Sequence, residues 1–514
     1  MSSFIKIYLW QILSLISGFA TMVIVTPFLS SNPYLFGIYS VVMSMSLFLA
    51  YADLGFLSAG AKYASEYAVR NERKQEIEII SFVTFILGGF VLLISIVALV
   101  FSFLPHLLIK SLPDLNSKNV ASTLLLVFAL STPLLVLQRS VQIIFNIRLK
   151  DYLYQRIFTA SNIIKILSSF FFFGRGKYLL VEYFIFSQFV GLIAVILALL
   201  LAKKSFNYNL KMYFASIKFS KEIFNKTKKL AFSSLFVTIA WIVFYEIDLF
   251  VIGKFIGAKG VAIFSLSITL MALFRSLHSI IYNPFTAKFN HYIGKRDFSG
   301  FNRAFYKVLV LGLPLSVFPT LIVAFTIKSF IYSWVGIEYE EVIPIVRIML
   351  FIYLFNFIAS PASIALVAHE RIRSIYLTTA IMPLIYWGGI IVTYNFWGLQ
   401  SFAIFKLFAF SLSSMVYSYL SIKLFGVDFK QFLSRNVLQA TIVSIALYFI
   451  VYYTQTYLPY FKKPGNLFKY TMLCSGYLVF SLVLYYLLSS QFRKTILEFL
   501  PSFSKLFKFK RESI

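Results

Sequence analysis

The chain of 514 residues is 60% hydrophobic and only 13% charged, with a mean hydropathy of +0.84. Soluble domains are about one-quarter charged, so this composition excludes an ordinary soluble domain and places the chain in the polytopic membrane class. A single cysteine, Cys474, excludes a disulfide framework and a multi-cysteine metal site, and the net charge of +28 must be located before it is assigned to a partner.

Met1 to Lys6 precedes an apolar run of about 24 residues, too long for a signal peptide and followed by no small-residue cleavage site. It reads as an uncleaved first span. With about 20 apolar residues needed to cross the hydrocarbon core, about fourteen spans are predicted. They start near Ile7, Gly37, Ile79, Ala121, Ile157, Leu179, Leu230, Val261, Ala304, Val342, Ser374, Ser401, Val437 and Lys469. The fifth, "IFTASNIIKILSSFFFF", is the shortest and most polar.

The charge separates by loop. The N-terminus, the connections near 61–78, 146–156, 203–229, 286–307, 369–373 and 423–435, and the C-terminal tail together hold about 32 Lys and Arg, against about 10 in the alternate set. Both termini are therefore expected in the cytoplasm, and the positive charge is mainly a topology signal. The lysine-rich 203–229 connection and the tail also suit contact with anionic membrane lipids. Nucleic acid is not an expected partner, because no folded domain exists to present a groove. The longest extramembrane stretch, Lys203 to Lys229, has about 27 residues and cannot bury a core of its own. Function is expected between the helices.

The sequence also matches itself. "PFLSSNPYLFGIYSVVMSM" from Pro27 resembles "GKFIGAKGVAIFSLSITLM" from Gly253. Two further pairs, from Ala61 and Ala287 and from Leu108 and Thr326, follow in the same order. A six-span unit enters the membrane twice in the same direction, which predicts parallel repeats with a cavity at their interface. The expected organisation is an all-α polytopic membrane protein with an N-terminal six-helix lobe over 1–202 and a basic cytoplasmic linker over 203–229. A second six-helix lobe follows over 230–424, then two extra transmembrane helices over 425–490 and a basic tail over 491–514.

Several stretches carry a family resemblance. "GIYSVVMSMSLFLAYADLGFLSAGAKY", with Gly37, Tyr39, Asp53, Leu54, Gly55 and Lys62, resembles the N-terminal signature of the polysaccharide-transport flippases of the MOP (MATE-like) superfamily. "EIDLFVIGKFIGAKGVAIFSLS" resembles their seventh-helix signature at Asp248, Gly257 and Phe264, with Phe264 in place of the usual Tyr and Ala262 in place of the usual Gly. Pro284, the Gly-x-x-Tyr of "WVGIEYEEVIPIVRIM" and the turn in "YNFWGLQSFAIF" extend the resemblance along the chain. It implies a Wzx-type flippase of the bacterial cytoplasmic (inner) membrane, moving a polyprenyl-pyrophosphate-linked oligosaccharide, such as an O-antigen repeat unit, between leaflets. It also implies polysaccharide polymerase and chain-length machinery as partners.

Such a cargo carries an anionic diphosphate, so intramembrane cations are the natural candidates for a cavity lining. Lys165 lies about 12 Å inside the fifth span and Arg275 at least about 10 Å from either end of the eighth. Neither reaches water easily along its own helix. Arg139, Arg347 and Lys406 lie only about five or six residues from a helix end, where snorkelling explains them. Asp53 and Asp248 can pair with these cations, bind a coupling ion or lock helix packing. Glu246, two residues before Asp248, falls roughly 200° away on one helix, so Asp248 is expected inward and Glu246 toward Lys254 or the outer surface. Pro27, Pro133, Pro314, Pro319, Pro361 and Pro383 interrupt backbone bonding within or beside spans and are candidate bending points.

No phosphate-binding G-x-x-x-x-G-K-[ST] occurs, and "HERIR" at His369 is not a metalloprotease H-E-x-x-H. The histidines are dispersed, and only His278, one turn from Arg275, falls near the expected cavity. No catalytic residue, cofactor or metal site is expected, and the chain reads as a transporter rather than an enzyme. Two rivals remain open. A cation-coupled drug antiporter shares the fold but calls for carboxylates in its cavity. A membrane-embedded glycan ligase or polymerase calls for clustered acid–base residues and a large outer loop.

Overall fold

Every element described in the computed structural model is helical, and no strand occurs among the described residues, 3–51, 55–110, 112, 114–369, 371–462 and 464–498. The solvent dictates this. In hydrocarbon each backbone N–H and C=O must be satisfied within its own segment, which a helix achieves and an open strand does not. Twelve helices among the described residues are long and apolar enough to cross a bilayer. The chain is a multi-pass membrane protein. The expected second and seventh spans fall on further helices, Pro33–Tyr51 and Lys221–Tyr245, that are not among those twelve.

The chain divides into two compact units, 1–265 and 266–514. Unit one opens with α1 (Ser3–Ala20), a π-helical turn over Thr21–Val25 just ahead of Pro27, and α2 (Thr26–Leu29). Then come α3 (Pro33–Tyr51) and α4 (Phe56–Val69), followed by a long pair, α5 (Arg73–Phe103) and α6 (Leu115–Asn146). Asp114 starts α6: its carboxylate accepts the Ser117 N–H at 2.8 Å, satisfying one of the orphan donors of the first turn. The amide and hydroxyl of Ser117 hold this exposed carboxyl below the ordinary aspartate range. α5 and α6 pack along their length, with Thr84 Oγ1 2.9 Å from Ser140 Oγ and Ser95 Oγ donating to the Ala129 carbonyl at 2.8 Å. α7 (Asp151–Phe173) and α8 (Leu180–Phe206) complete the main body.

The segment expected as a basic cytoplasmic linker, 203–229, carries helix over much of its length. α8 runs on to Phe206, a short α9 spans Leu210–Ala215, and α10 (Lys221–Tyr245) has already begun before 229. Tyr213 of α9 is fully buried. Its hydroxyl lies 2.8 Å from Thr84 Oγ1, Thr84 Oγ1 lies 2.9 Å from Ser140 Oγ, and Ser81 Oγ donates to the Tyr213 carbonyl at 2.9 Å. The aromatic ring thus pins the connection onto α5 and α6 of the same unit. Tyr213→Phe keeps the ring and removes the hydroxyl, so stability is expected to fall by about 1 kcal/mol, read as a lower thermal midpoint in detergent. An unchanged midpoint would mean that packing alone holds the segment.

Unit one also contains α11 (Asp248–Phe255) and the start of α12 (Ala258–Gly294). Two glycines of the family resemblance acquire a physical meaning here. A Cβ on Gly37 of α3 would stand 1.9 Å from the Ala258 carbonyl oxygen, so only a bare backbone lets α3 meet α12 there. Gly257, between α11 and α12, has φ +104° and would place a Cβ 2.9 Å from the Lys110 carbonyl. Ser40 and Ser265 share a hydrogen bond of 3.2 Å across the same α3–α12 contact.

Unit two comprises the rest of α12, then α13 (Phe298–Trp334), α14 (Val342–Leu350), α15 (Asn356–Ala368), α16 (Ile372–Trp397), α17 (Gln400–Phe425), α18 (Phe429–Phe432), α19 (Leu438–Thr454) and α20 (Pro464–Leu488). Asp297 caps α13 by accepting the Gly300 N–H at 2.8 Å. α13 is the central element, continuous through Pro314 and Pro319. It packs against α14, α15, α19 and α20. Ala359, Ala362 and Ala365 put small side chains on the buried side of α15, which lets helices approach closely where no hydrophobic effect drives them together. Polar ties fix the last two helices: Thr326 Oγ1 lies 2.8 Å from the Tyr470 hydroxyl, and Ser329 Oγ donates to the Pro459 carbonyl at 2.6 Å.

Candidate functional site

In unit one, Lys165 is half-buried on α7 and has no carboxylate partner among the described residues. α8 makes room for it with Gly191, where an added Cβ would stand 3.9 Å from the ammonium and 3.3 Å from Leu134 of α6. Arg139 is exposed on α6. Asp53 lies outside the described residues.

The other two candidate carboxylates of unit one, Glu246 and Asp248, flank a helix break. A single helix was expected through this region, but α10 ends at Tyr245 and α11 starts at Asp248. The break removes the steady 100° step that separated Glu246 from Asp248, so the two need not oppose each other. Both are buried, Glu246 at 6% exposure and Asp248 at 0%. Asp248 opens α11, where the helix dipole favours a negative charge.

In unit two, Arg275 projects from the exposed side of α12, one turn before the buried His278. His278 sits in a complete polar relay. Its Nδ1 lies 2.8 Å from the Phe274 carbonyl, so Nδ1 carries the proton; Nε2 then accepts from Ser316 at 3.1 Å, whose oxygen is 3.3 Å from the Tyr282 hydroxyl. The ring also stacks on Tyr353 at 5.1 Å. Arg347 is exposed on α14. Lys406 departs from the snorkelling expectation: it is only 3% exposed on α17, with its ammonium 4.9 Å from the ring centre of Tyr386 on α16. A ring face replaces part of the water that snorkelling would have supplied. Among the described residues no group of three or more His, Cys, Asp or Glu could hold a metal ion.

One feature of unit two was not anticipated. An apolar groove of about 700 Å³ runs between α13, the start of α15, α17 and α19, with Leu313, Val317, Phe357, Met415 and Val437 among its walls. Besides Tyr419, four serine and threonine residues line it, and each of these four donates to the carbonyl four residues back on its own helix. Ser414 bonds Phe410 at 2.9 Å, Ser418 bonds Ser414 at 2.8 Å, Thr441 bonds Val437 at 2.9 Å and Ser444 bonds Ala440 at 2.7 Å. With their protons committed to the backbone, the hydroxyls leave a surface suited to hydrocarbon. The sequence signal was present in the small residues spaced by four, Ser414 and Ser418 on α17, Ala440 and Ser444 on α19.

The arrangement of helices matches solved transporters. The structure of a lipid II flippase, MurJ, in its inward closed conformation aligns over 96% of this chain and 99% of its own, with a TM-score of 0.69 and 16% identity. An inward-facing multidrug resistance MATE family transporter of the MOP superfamily aligns over 83% of this chain and 98% of its own, with a TM-score of 0.55 and 12% identity. No protein-family model matches the sequence, and no curated protein matches it. The chain therefore has the all-helical fold that flippases and MATE transporters of this superfamily share.

Proposed function

We propose that this chain is a Wzx-type flippase that moves a polyprenyl-pyrophosphate-linked oligosaccharide from the inner to the outer leaflet of the bacterial cytoplasmic membrane by alternating access. On this reading it has fourteen spans, both termini in the cytoplasm, a six-helix lobe over 1–202 and a second over 230–424, and acts without covalent chemistry on its cargo. Arg275 and Lys165 attract the diphosphate, while Asp248, Glu246 and Asp53 supply counter-charge or bind a coupling ion. Arg139, Arg347 and Lys406 are secondary cargo contacts. Polysaccharide polymerase and chain-length machinery would take the cargo onward.

The observation that carries the reading is the apolar groove of unit two, whose serine and threonine hydroxyls are bonded back to their own helices. A long hydrocarbon tail needs such a surface, whereas a small hydrophilic cargo does not. The likeness of fold to a lipid II flippase supports it further. The drug-antiporter reading draws on the same fold, through the MATE transporter.

The test is exposure of a lipid-linked oligosaccharide on the far leaflet of reconstituted vesicles. Arg275→Ala and Lys165→Ala are each expected to slow it by at least about tenfold, equivalent to 1.4 kcal/mol of barrier. Ser418→Trp, which fills the groove, is expected to slow it to a similar degree. Wild-type rates in all three variants would remove the cationic path and the groove from the account.

A further inference from the structure

A second cavity, of about 480 Å³, lies in unit one where three spans end together. Arg73 begins α5, Arg148 and Lys150 follow the end of α6, and Ser205, Phe206 and Asn207 close α8. The Lys and Arg distribution puts this end of the helices at the inner face, at headgroup depth. No carboxylate lines the cavity. The acid that pairs with two of its cations, Glu76, is itself fully buried: it is bonded to Arg148 and lies 3.5 Å from Arg73.

Three cations therefore face one carboxylate, and Lys150 has no acidic partner among the described residues. The cluster is held in place rather than loosely solvated. Arg148, 11% exposed in its side chain, donates to the Ile144 carbonyl at 2.7 Å, and its guanidinium stacks over Phe206 at 5.0 Å and Tyr208 at 5.5 Å. The Lys150 ammonium sits over Phe206 at 5.3 Å. Beside them the Tyr208 hydroxyl is buried and makes no hydrogen bond among the described residues. A guanidinium fixed by a buried acid and two rings, with a lysine and a second arginine at the mouth, forms a pre-organised anion receptor at a helix end.

We propose that this cavity is a lipid site that takes the phosphate headgroup of an anionic phosphoglyceride from the inner leaflet. The chemistry is that of basic pockets between membrane helices, which collect phosphate-bearing headgroups. It is separate from the translocated cargo, so it stands whether or not the flippase reading does.

The test uses the purified full chain in vesicles of equal phosphatidylethanolamine and phosphatidylglycerol, with lipid retained on the protein measured by native mass spectrometry. Wild type should retain phosphatidylglycerol preferentially, and Arg73→Gln and Lys150→Gln should each reduce that preference by about fivefold, corresponding to ~1 kcal/mol per cation. A thermal midpoint close to wild type for both variants shows that the fold is kept. Equal retention of the two lipids by wild type, or undiminished preference in the folded double variant, overturns the proposal. Displacement of phosphatidylglycerol by millimolar inorganic phosphate also overturns it, because the site would then belong to free phosphate.

Discussion

Glu76→Ala is expected to cost about 3–5 kcal/mol of stability, seen as a large fall in the thermal midpoint and in the yield of monodisperse protein. Glu76 is completely buried and holds Arg148, which is itself 11% exposed, together with the more exposed Arg73. Removing the acid strands a guanidinium in a poorly solvated place with one partner gone. The loss comes mainly from that uncompensated charge rather than from the bond. A double variant separates the two effects. Glu76→Ala with Arg148→Met removes both ends, and stability should recover substantially toward wild type, because no buried charge is left unpaired. A double variant as unstable as the sum of its single changes would show that packing, not charge, is what Glu76 provides.

Gly37→Ala is the second large effect, expected at about 3 kcal/mol or more from overpacking. The new methyl would stand 1.9 Å from the carbonyl oxygen of Ala258, and a backbone atom cannot rotate aside as a flexible side chain could. α3 and α12 would have to separate, straining the Ser40–Ser265 bond one turn away. Ala258→Gly should not rescue the variant, because the clash is with the main chain. Rescue by Ala258→Gly, or a wild-type midpoint for Gly37→Ala alone, would show that the two helices are free to move apart.

Most of the fold was legible because the membrane simplifies the code. Apolar runs longer than a bilayer is thick give spans by length alone. The resemblance drew attention to Gly37 and Gly257 without a reason; the close approach to Ala258 and Lys110 supplies it. What escaped the sequence depends on contacts between segments. Nothing local announces that the helix stops at Tyr245 and restarts at Asp248. Only the burial of Tyr213 against Thr84 and Ser140 shows that it anchors the basic connection. Lys406 lay near enough to a helix end for snorkelling, and the neighbouring Tyr386 ring offered another solution. The groove needed four segments to assemble before its spaced serines meant anything.

Movement of a lipid-linked glycan by this chain can be observed directly. The purified protein is reconstituted into vesicles carrying a polyprenyl-pyrophosphate-linked oligosaccharide in the inner leaflet, and the sugar reaching the outer leaflet is counted with an impermeant lectin or glycosidase. The account predicts protein-dependent exposure of the sugar under an ion gradient or membrane potential, with small cationic drugs left untransported. Drug exchange for cations together with no exposure of any lipid-linked glycan would contradict it and favour the antiporter.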